Sequence, residues 1–336
     1  MRTLKLTVAY DGTNYHGFQK QTNALTVQQV LEEKLSLLCG EKIVTAGSGR
    51  TDTGVHARGQ VVSLTTSGSI PLENLLKVCA GILPKDIVLW QAEEADEGFH
   101  ARYSACWKRY CYRIVQNKHA DPFLRNYVWQ MREYLRLEAM QEAAQLLLGT
   151  HDFSFFRSAG SVQSSPVKTI YRAEWLPKEQ GELEFSIEGN GFLYHMVRNI
   201  VWHLVEVGKG TKSIAAFKSE FAAGKRHFKV APAPPQGLYL DYVGYIPHFL
   251  ADIEKISEID GFGGVMGQSV VEFFAKDGTT DLIHRLADAG VNMTWKGEPK
   301  GDKLAGMTLV VTGTLETLSR NEAEALIVKN GGKASG

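Results

Sequence analysis

The first hundred residues change their hydrophobic period in a fixed order, and that order limits the possible folds more than any other feature of the chain. Leu4, Leu6, Val8 and Tyr10 alternate with Lys5, Thr7 and Ala9, the period of a strand buried on one face. After Gly12 and Asn14, Thr26 and Gln29 form a capping box. A helical stripe of Val27, Val30, Leu31, Leu35 and Leu38 follows and is closed by Gly40. The spacing predicts short strands at 42–46 and 61–65, a helix over Leu72–Ile82 and a fourth strand over 87–92. The order βαββαβ is that of a split-βαβ, ferredoxin-like unit.

Residues 107–244 repeat this grammar in part. Aromatic and basic residues alternate over 107–115 as in a strand, and an amphipathic helix over 135–148 stops at Gly149. Strands are expected at 169–176 and 183–188, around the turn Glu179-Gln180-Gly181. Helices follow at 192–207 and Ile214–Ala223, and a closing strand at 237–244. The expected fold class is α+β, with two ferredoxin-like (RRM-like) halves over 1–104 and 105–248. Each is an antiparallel sheet with helices on one face, which leaves the other sheet faces free to build a cleft between the halves.

Past Ile246-Pro247 the composition shifts. The whole chain balances 37 Lys+Arg against 37 Asp+Glu, but residues 1–248 hold 28 basic and 24 acidic residues and 249–336 hold 9 and 13. This asymmetry suggests two parts of different origin. The second part divides into short helices and a Gly-rich turn over 249–295 and, after a polar linker, a segment over 303–336. That last segment offers one strand and one helix, too little to enclose a core, and is expected to be incomplete. No apolar run approaches 18 residues and the N-terminus soon turns polar, so no membrane contact and a cytoplasmic location are expected. Cys39, Cys79, Cys106 and Cys111 form no C-x-x-C pair, which argues against a zinc ribbon and for free thiols.

The loop Gly47-Ser-Gly-Arg-Thr-Asp-Thr-Gly-Val-His-Ala-Arg-Gly-Gln60 carries four glycines, one carboxylate (Asp52) and two arginines (Arg50, Arg58). Glycines permit close approach of a ligand. A phosphate cradle lacks its lysine, its Ser/Thr and a following helix here. The loop is then either a solvated hairpin or the seat of an Asp that its arginines keep ionised for nucleophilic or base chemistry. His56 is a general acid–base candidate, with backbone or RNA contact the preferred role. Lys108, Tyr110 and Tyr112 share one strand face, suited to stacking on an unstacked base while cations meet phosphates. Arg198 stands in an otherwise apolar helix and requires a carboxylate partner.

In order along the chain, YDGTNYHGFQ, GSGRTDTGVHARGQVV, FHARYSA, KRYCYRI, GTHDFSFFR, GFLYHMVRNIV and APAPPQGLYL resemble the motifs of the TruA family of tRNA pseudouridine synthases over roughly residues 3–245. The resemblance implies isomerisation of uridine to pseudouridine at positions 38 to 40 in the anticodon arm of tRNA, by a homodimer with no metal or cofactor. By motif, Asp52 takes the place of the essential aspartate and Arg50 that of the arginine inserted beside the flipped nucleotide. Tyr110 matches the tyrosine that stacks on the target base, Arg198 the partner of the aspartate, and Leu238 the apolar wall. Arg58 and Lys108 are further candidate RNA contacts. Asp52 would act by attack on C1′ or by removing the C2′ proton. A catalytically idle tRNA-binding homologue is the alternative.

The second part resembles the helix-hairpin-helix and opening BRCT regions of NAD-dependent DNA ligases, through IDGFGGVMGQSVVEFF and GDKLAGMTLVVTGTLETLSRNEAEALIVKNGGKASG. This implies a possible DNA-phosphate contact by the hairpin and, as a further alternative, a DNA-binding repair protein. The ligase's K-x-D-G motif is absent, which excludes ligation by this chain.

Overall fold

A computed structural model describes residues 1–160, 165–224 and 231–248, together with 308–310, 327 and 333–335. The chain divides into two compact units, Met1–Thr280 and Asp281–Gly336.

In the first unit, β1 (Arg2–Tyr10), α1 (Val27–Cys39), β2 (Thr45–Gly47), β3 (His56–Thr66), α2 (Leu72–Ile82) and β4 (Ile87–Ala95) make the first half. Thr26 caps α1 by accepting from the Gln29 amide at 3.3 Å, and Gly40 ends it in the left-handed region. The reciprocal half of the capping box is not formed, because the Gln29 side chain donates to Glu33. Glu32, buried in α1, accepts from the Thr45 amide at 3.0 Å and so ties the helix to β2.

The second half comprises β5 (Trp107–Gln116), β6 (Trp129–Met131), α3 (Leu137–Gln145), β7 (Gly149–Asp152), β8 (Val167–Pro177), β9 (Glu182–Gly189), α4 (Met196–Lys209), α5 (Ile214–Ala223) and β10 (Leu238–Gly244). Pairing runs β4-β1-β3-β10-β5-β9-β8-β7, with β2 on β3 and β6 on β5. Taken separately, β4-β1-β3-β2 and β10-β5-β9-β8 are two copies of one ferredoxin-like strand order, as expected.

The expectation of two separate sheets with a cleft between their free faces is corrected. The halves share one ten-stranded sheet, joined where β10 runs parallel to the start of β3 through Tyr239↔His56 and Leu240↔Ala57. Leu6, Val8, Val62, Tyr112, Ile114, Phe185, Ile187 and Leu240 are fully buried in a core spanning both halves. Each contributes roughly 1.5–3 kcal/mol by leaving water.

The side chains that point away from this core are charged and paired. Arg109 meets Glu188 at 2.7 Å, Arg113 grips Glu182 with two nitrogens, and Arg58 meets Asp241 at 3.3 Å. This ladder occupies the surface on which a free-face cleft would have to lie. Burial alone would raise the Glu188 carboxyl; hydrogen bonds from His248 and Arg109 outweigh it and hold it below the usual carboxylate range.

In the second unit, β11 (Thr308–Val310) pairs in parallel with β12 (Lys333–Ser335). β11 lies within the segment 303–336, for which one strand and one helix are expected. The hairpin helices expected over 249–295 lie outside the described residues.

Candidate active site

The Gly-rich loop between β2 and β3 is held by polar side chains of β1, of β3 and of the loop itself. The Tyr10 hydroxyl meets Thr51 Oγ1 at 2.8 Å, Ser48 donates to Gln60 at 2.7 Å, and Gln60 Nε2 donates to the Gly49 carbonyl at 2.9 Å. The Phe18 amide donates to the Thr51 carbonyl at 3.1 Å. Gly17, at φ +84°, lies so close that a Cβ there would stand 2.5 Å from the Thr51 carbonyl oxygen. Of the four loop glycines only Gly54 has a positive φ. Gly47 serves close packing instead, since a Cβ would meet the Phe18 ring at 2.3 Å.

The loop faces a cleft of about 1030 Å³ on the helix-bearing side of the sheet, between α1 and the start of α4. Gln28 of α1, Lys108 and Tyr110 of β5, Leu238 of β10 and residues 192–198 line it. Among the described residues Asp52 is the sole carboxylate on the lining, where it sits with Arg50, Arg102, Lys108 and Arg198. A carboxylate in a basic cleft suits a polyanionic substrate and one buried reaction centre.

Arg198 donates through Nη1 to Asp52 Oδ2 at 3.0 Å and through Nε to the Ala233 carbonyl at 2.7 Å. Both side chains are largely sheltered, Asp52 at 22% exposure and Arg198 at 11%. Among the described residues Oδ1 of Asp52 makes no hydrogen bond or ion pair, and the side chain's contacts with Arg198 and His195 both fall on Oδ2. One oxygen is thus engaged by Arg198, and the other has no protein partner among the described residues.

Tyr110 is buried at the floor, with its ring edge-on to Phe192 at 5.1 Å. Burial first, then the neighbouring Tyr10 phenol and the Asp52 carboxylate, push its phenol up, so it remains a neutral O–H. Lys108 donates to the Ser48 carbonyl at 2.7 Å. Burial, followed by the repulsion of Arg102 and Lys168, lowers its ammonium to about 8. Arg50 is exposed at the mouth and makes no hydrogen bond or ion pair with the described residues. The exposed rings of Tyr103 and Tyr194 stand on the same rim.

The structure therefore brings Asp52, Arg50, Lys108, Tyr110, Arg198 and Leu238 to one cleft. Arg58 is not among them. The β1–β3 register slips between Val8↔Gln60 and Tyr10↔Ala57, and this bulge turns Arg58 to the opposite side, onto Asp241 and over the Tyr239 ring. His56 is also absent from the lining. Its Nδ1 accepts from the Gly12 amide at 3.0 Å, its Nε2 meets the Asn126 carbonyl at 2.9 Å, and its ring stacks on Tyr239. Burial lowers its basicity, against the pull of Asp11. Among the described residues no group of three or more His, Cys, Asp or Glu is placed to hold a metal ion.

One cleft residue was not singled out from the sequence. His195 precedes α4 at φ +60°, and its Nε2 lies 3.4 Å from Asp52 Oδ2. A non-glycine residue in that conformation is held at a cost of about 1–3 kcal/mol. The available signal was its spacing, three residues before Arg198 on one helical face.

The profile of a family described as tRNA pseudouridine synthase matches residues 6–104 and 143–245. The chain is 44% identical over 245 residues to tRNA pseudouridine synthase A of Thermoanaerobacter pseudethanolicus, and likewise to that of Acetivibrio thermocellus; each match covers 73% of this chain and all of the relative. A crystal structure of an archaeal box H/ACA sRNP Nop10-Cbf5 complex matches 60% of this chain and 44% of its own at 10% identity, with a TM-score of 0.29.

Proposed function

The chain belongs to the tRNA pseudouridine synthase family, and we propose that it isomerises uridines of the anticodon arm, at positions 38 to 40, with Asp52 as its essential carboxylate. The observation that carries this reading is the split environment of Asp52: Oδ2 is fixed by Arg198, Oδ1 is without a protein partner among the described residues, and the side chain lines a basic, aromatic-floored cleft.

In the reaction the C1′–N1 bond breaks, the uracil turns, and a C1′–C5 bond forms. The C5 proton leaves and N1 gains one, so atoms balance with no redox partner or group donor. Oδ1 acts either by adding to C1′ or by taking the C2′ proton to give a glycal. Arg198 compensates the carboxylate's charge within a sheltered site.

The target base has to leave its stack to reach this depth. Arg50, free at the mouth, fits the gap the base leaves. Tyr110 and Leu238 wall the uracil with few fixed hydrogen bonds, which lets the ring rotate. Lys108 and Arg102 meet phosphates, while Tyr103 and Tyr194 offer faces for neighbouring bases.

A homodimer in the cytoplasm, needing neither metal nor cofactor, belongs to the same proposal, as does assignment of the synthase to residues 1–248. Mapping pseudouridine in tRNA from cells with and without the gene tests the site. Loss confined to positions 38 to 40 supports the proposal, and an unchanged map overturns it.

A further inference from the structure

His195 breaks two local preferences at once. Its backbone is left-handed (φ 60°, ψ 8°), where Asn or Gly would be at ease, and it stands at the N-cap of α4 without capping the helix through its side chain. A position that forgoes both preferences is held by something else in the fold. The ring nitrogens show what.

Asn199 of α4 donates from Nδ2 to the Phe156 carbonyl at 2.6 Å and to Ser158 Oγ at 3.3 Å. Ser158 Oγ in turn lies 3.1 Å from His195 Nδ1. A carboxylate oxygen only accepts, so the ring nitrogen opposite one carries the proton: Nδ1 accepts from the Ser158 hydroxyl and the proton sits on Nε2. That nitrogen faces Asp52 Oδ2 at 3.4 Å, while Tyr194 stacks on the ring at 3.8 Å and fixes its plane. The contact is longer than a formed N–H···O bond, as catalytic contacts without substrate often are.

We propose that His195 is a positioning residue for Asp52. With Arg198 on one side and the His195 Nε2–H on the other, Oδ2 is held from two directions, so the carboxylate cannot rotate and Oδ1 is the oxygen presented to the ribose. The relay Asn199–Ser158–His195 anchors this second support in α4, and the left-handed backbone aims the ring beneath the loop. The inference rests on the proposed role of Asp52 and adds a residue to which that role does not by itself assign a function.

Two isosteres separate the ring's nitrogens in the full-length protein. His195→Asn suits the left-handed backbone and keeps a polar atom at the Nδ1 position, but cannot reach Asp52. His195→Gln places an amide nitrogen where Nε2 stood. With tRNA tritiated at uracil C5, His195→Asn is expected to lose about tenfold or more in kcat with KM and tRNA affinity unchanged. His195→Gln should stay within about threefold of wild type. Ser158→Ala, which frees the ring to turn, should lower kcat in the same direction and serves as the test if the Asn variant melts early. Equal losses in Asn and Gln, a wild-type kcat in Asn, or a loss confined to KM would overturn the inference. A wild-type protein that releases no tritium would instead refute the reading of function.

Discussion

At the scale of single residues, the proposal turns on the unequal surroundings of the two oxygens of Asp52, one held by Arg198 and the other without a protein partner among the described residues. The same cleft buries a cation, Lys108, whose ammonium is lowered to about 8 chiefly by burial. Its folded value lies below its unfolded one of about 10.4, so the buried charge costs stability below about pH 8, and that cost fades as pH rises toward 10.4. Lys108→Met should therefore gain more stability relative to wild type at pH 7 than at pH 10, as urea unfolding at the two pH values would show. The same variant should raise KM for tRNA, because a phosphate contact is lost. The residues themselves were legible unevenly. Asp52, Tyr110 and Arg198 stood out because a lone carboxylate, an aromatic among cations and an arginine in an apolar helix each need an explanation. Arg58 misled because a bulge, invisible to a count of alternating residues, reversed its direction. His195 was passed over because its meaning lies in a backbone angle and in a partner 143 positions away.

At the scale of elements, the joint between β3 and β10 decides whether one sheet or two exist. Gly59 sits at that joint, where a Cβ would stand 2.5 Å from the Asp241 carbonyl oxygen. Gly59→Ala should cost about 2 kcal/mol by forcing the strands apart. Activity should fall with it, since β10 carries Leu238 and β3 supports the Asp52 loop; a thermal melt and a tritium-release assay measure both effects. Helices with clean apolar stripes and end signals, α2 and α5, lie where their sequences place them. By contrast α4 begins at Met196, four residues later than its periodicity suggests, because the chain over 192–195 is used to build the cleft wall. β3 begins earlier than expected, at His56, because its first residues pair with a strand 183 positions on. Pairing of that range leaves no mark on local periodicity. The alternation of aromatic and basic residues along β5 did foretell a two-faced strand, and Lys108 and Tyr110, placed on one face by that alternation, both line the cleft.

At the scale of the whole molecule, the zero net charge is a poor guide to partners. The cleft itself gathers four cations around one carboxylate among the described residues, a local imbalance that the total conceals. The two relatives are matched along their whole length by about 245 residues of this chain. A protein ending at His248, which keeps that residue's contacts with Glu188 and Tyr171, should fold with a single melting transition and retain at least about half of the full-length kcat. Loss of folding on that truncation would make 249–336 integral to the synthase. The central claim is that one carboxylate, Asp52, performs the isomerisation. Its most direct test compares tritium release from C5-labelled tRNA by the wild-type chain and by Asp52→Asn, with tRNA affinity and melting temperature measured alongside. The account predicts release by wild type and none above background by the variant, with affinity and melting preserved. Release by Asp52→Asn at a rate near that of wild type would contradict it.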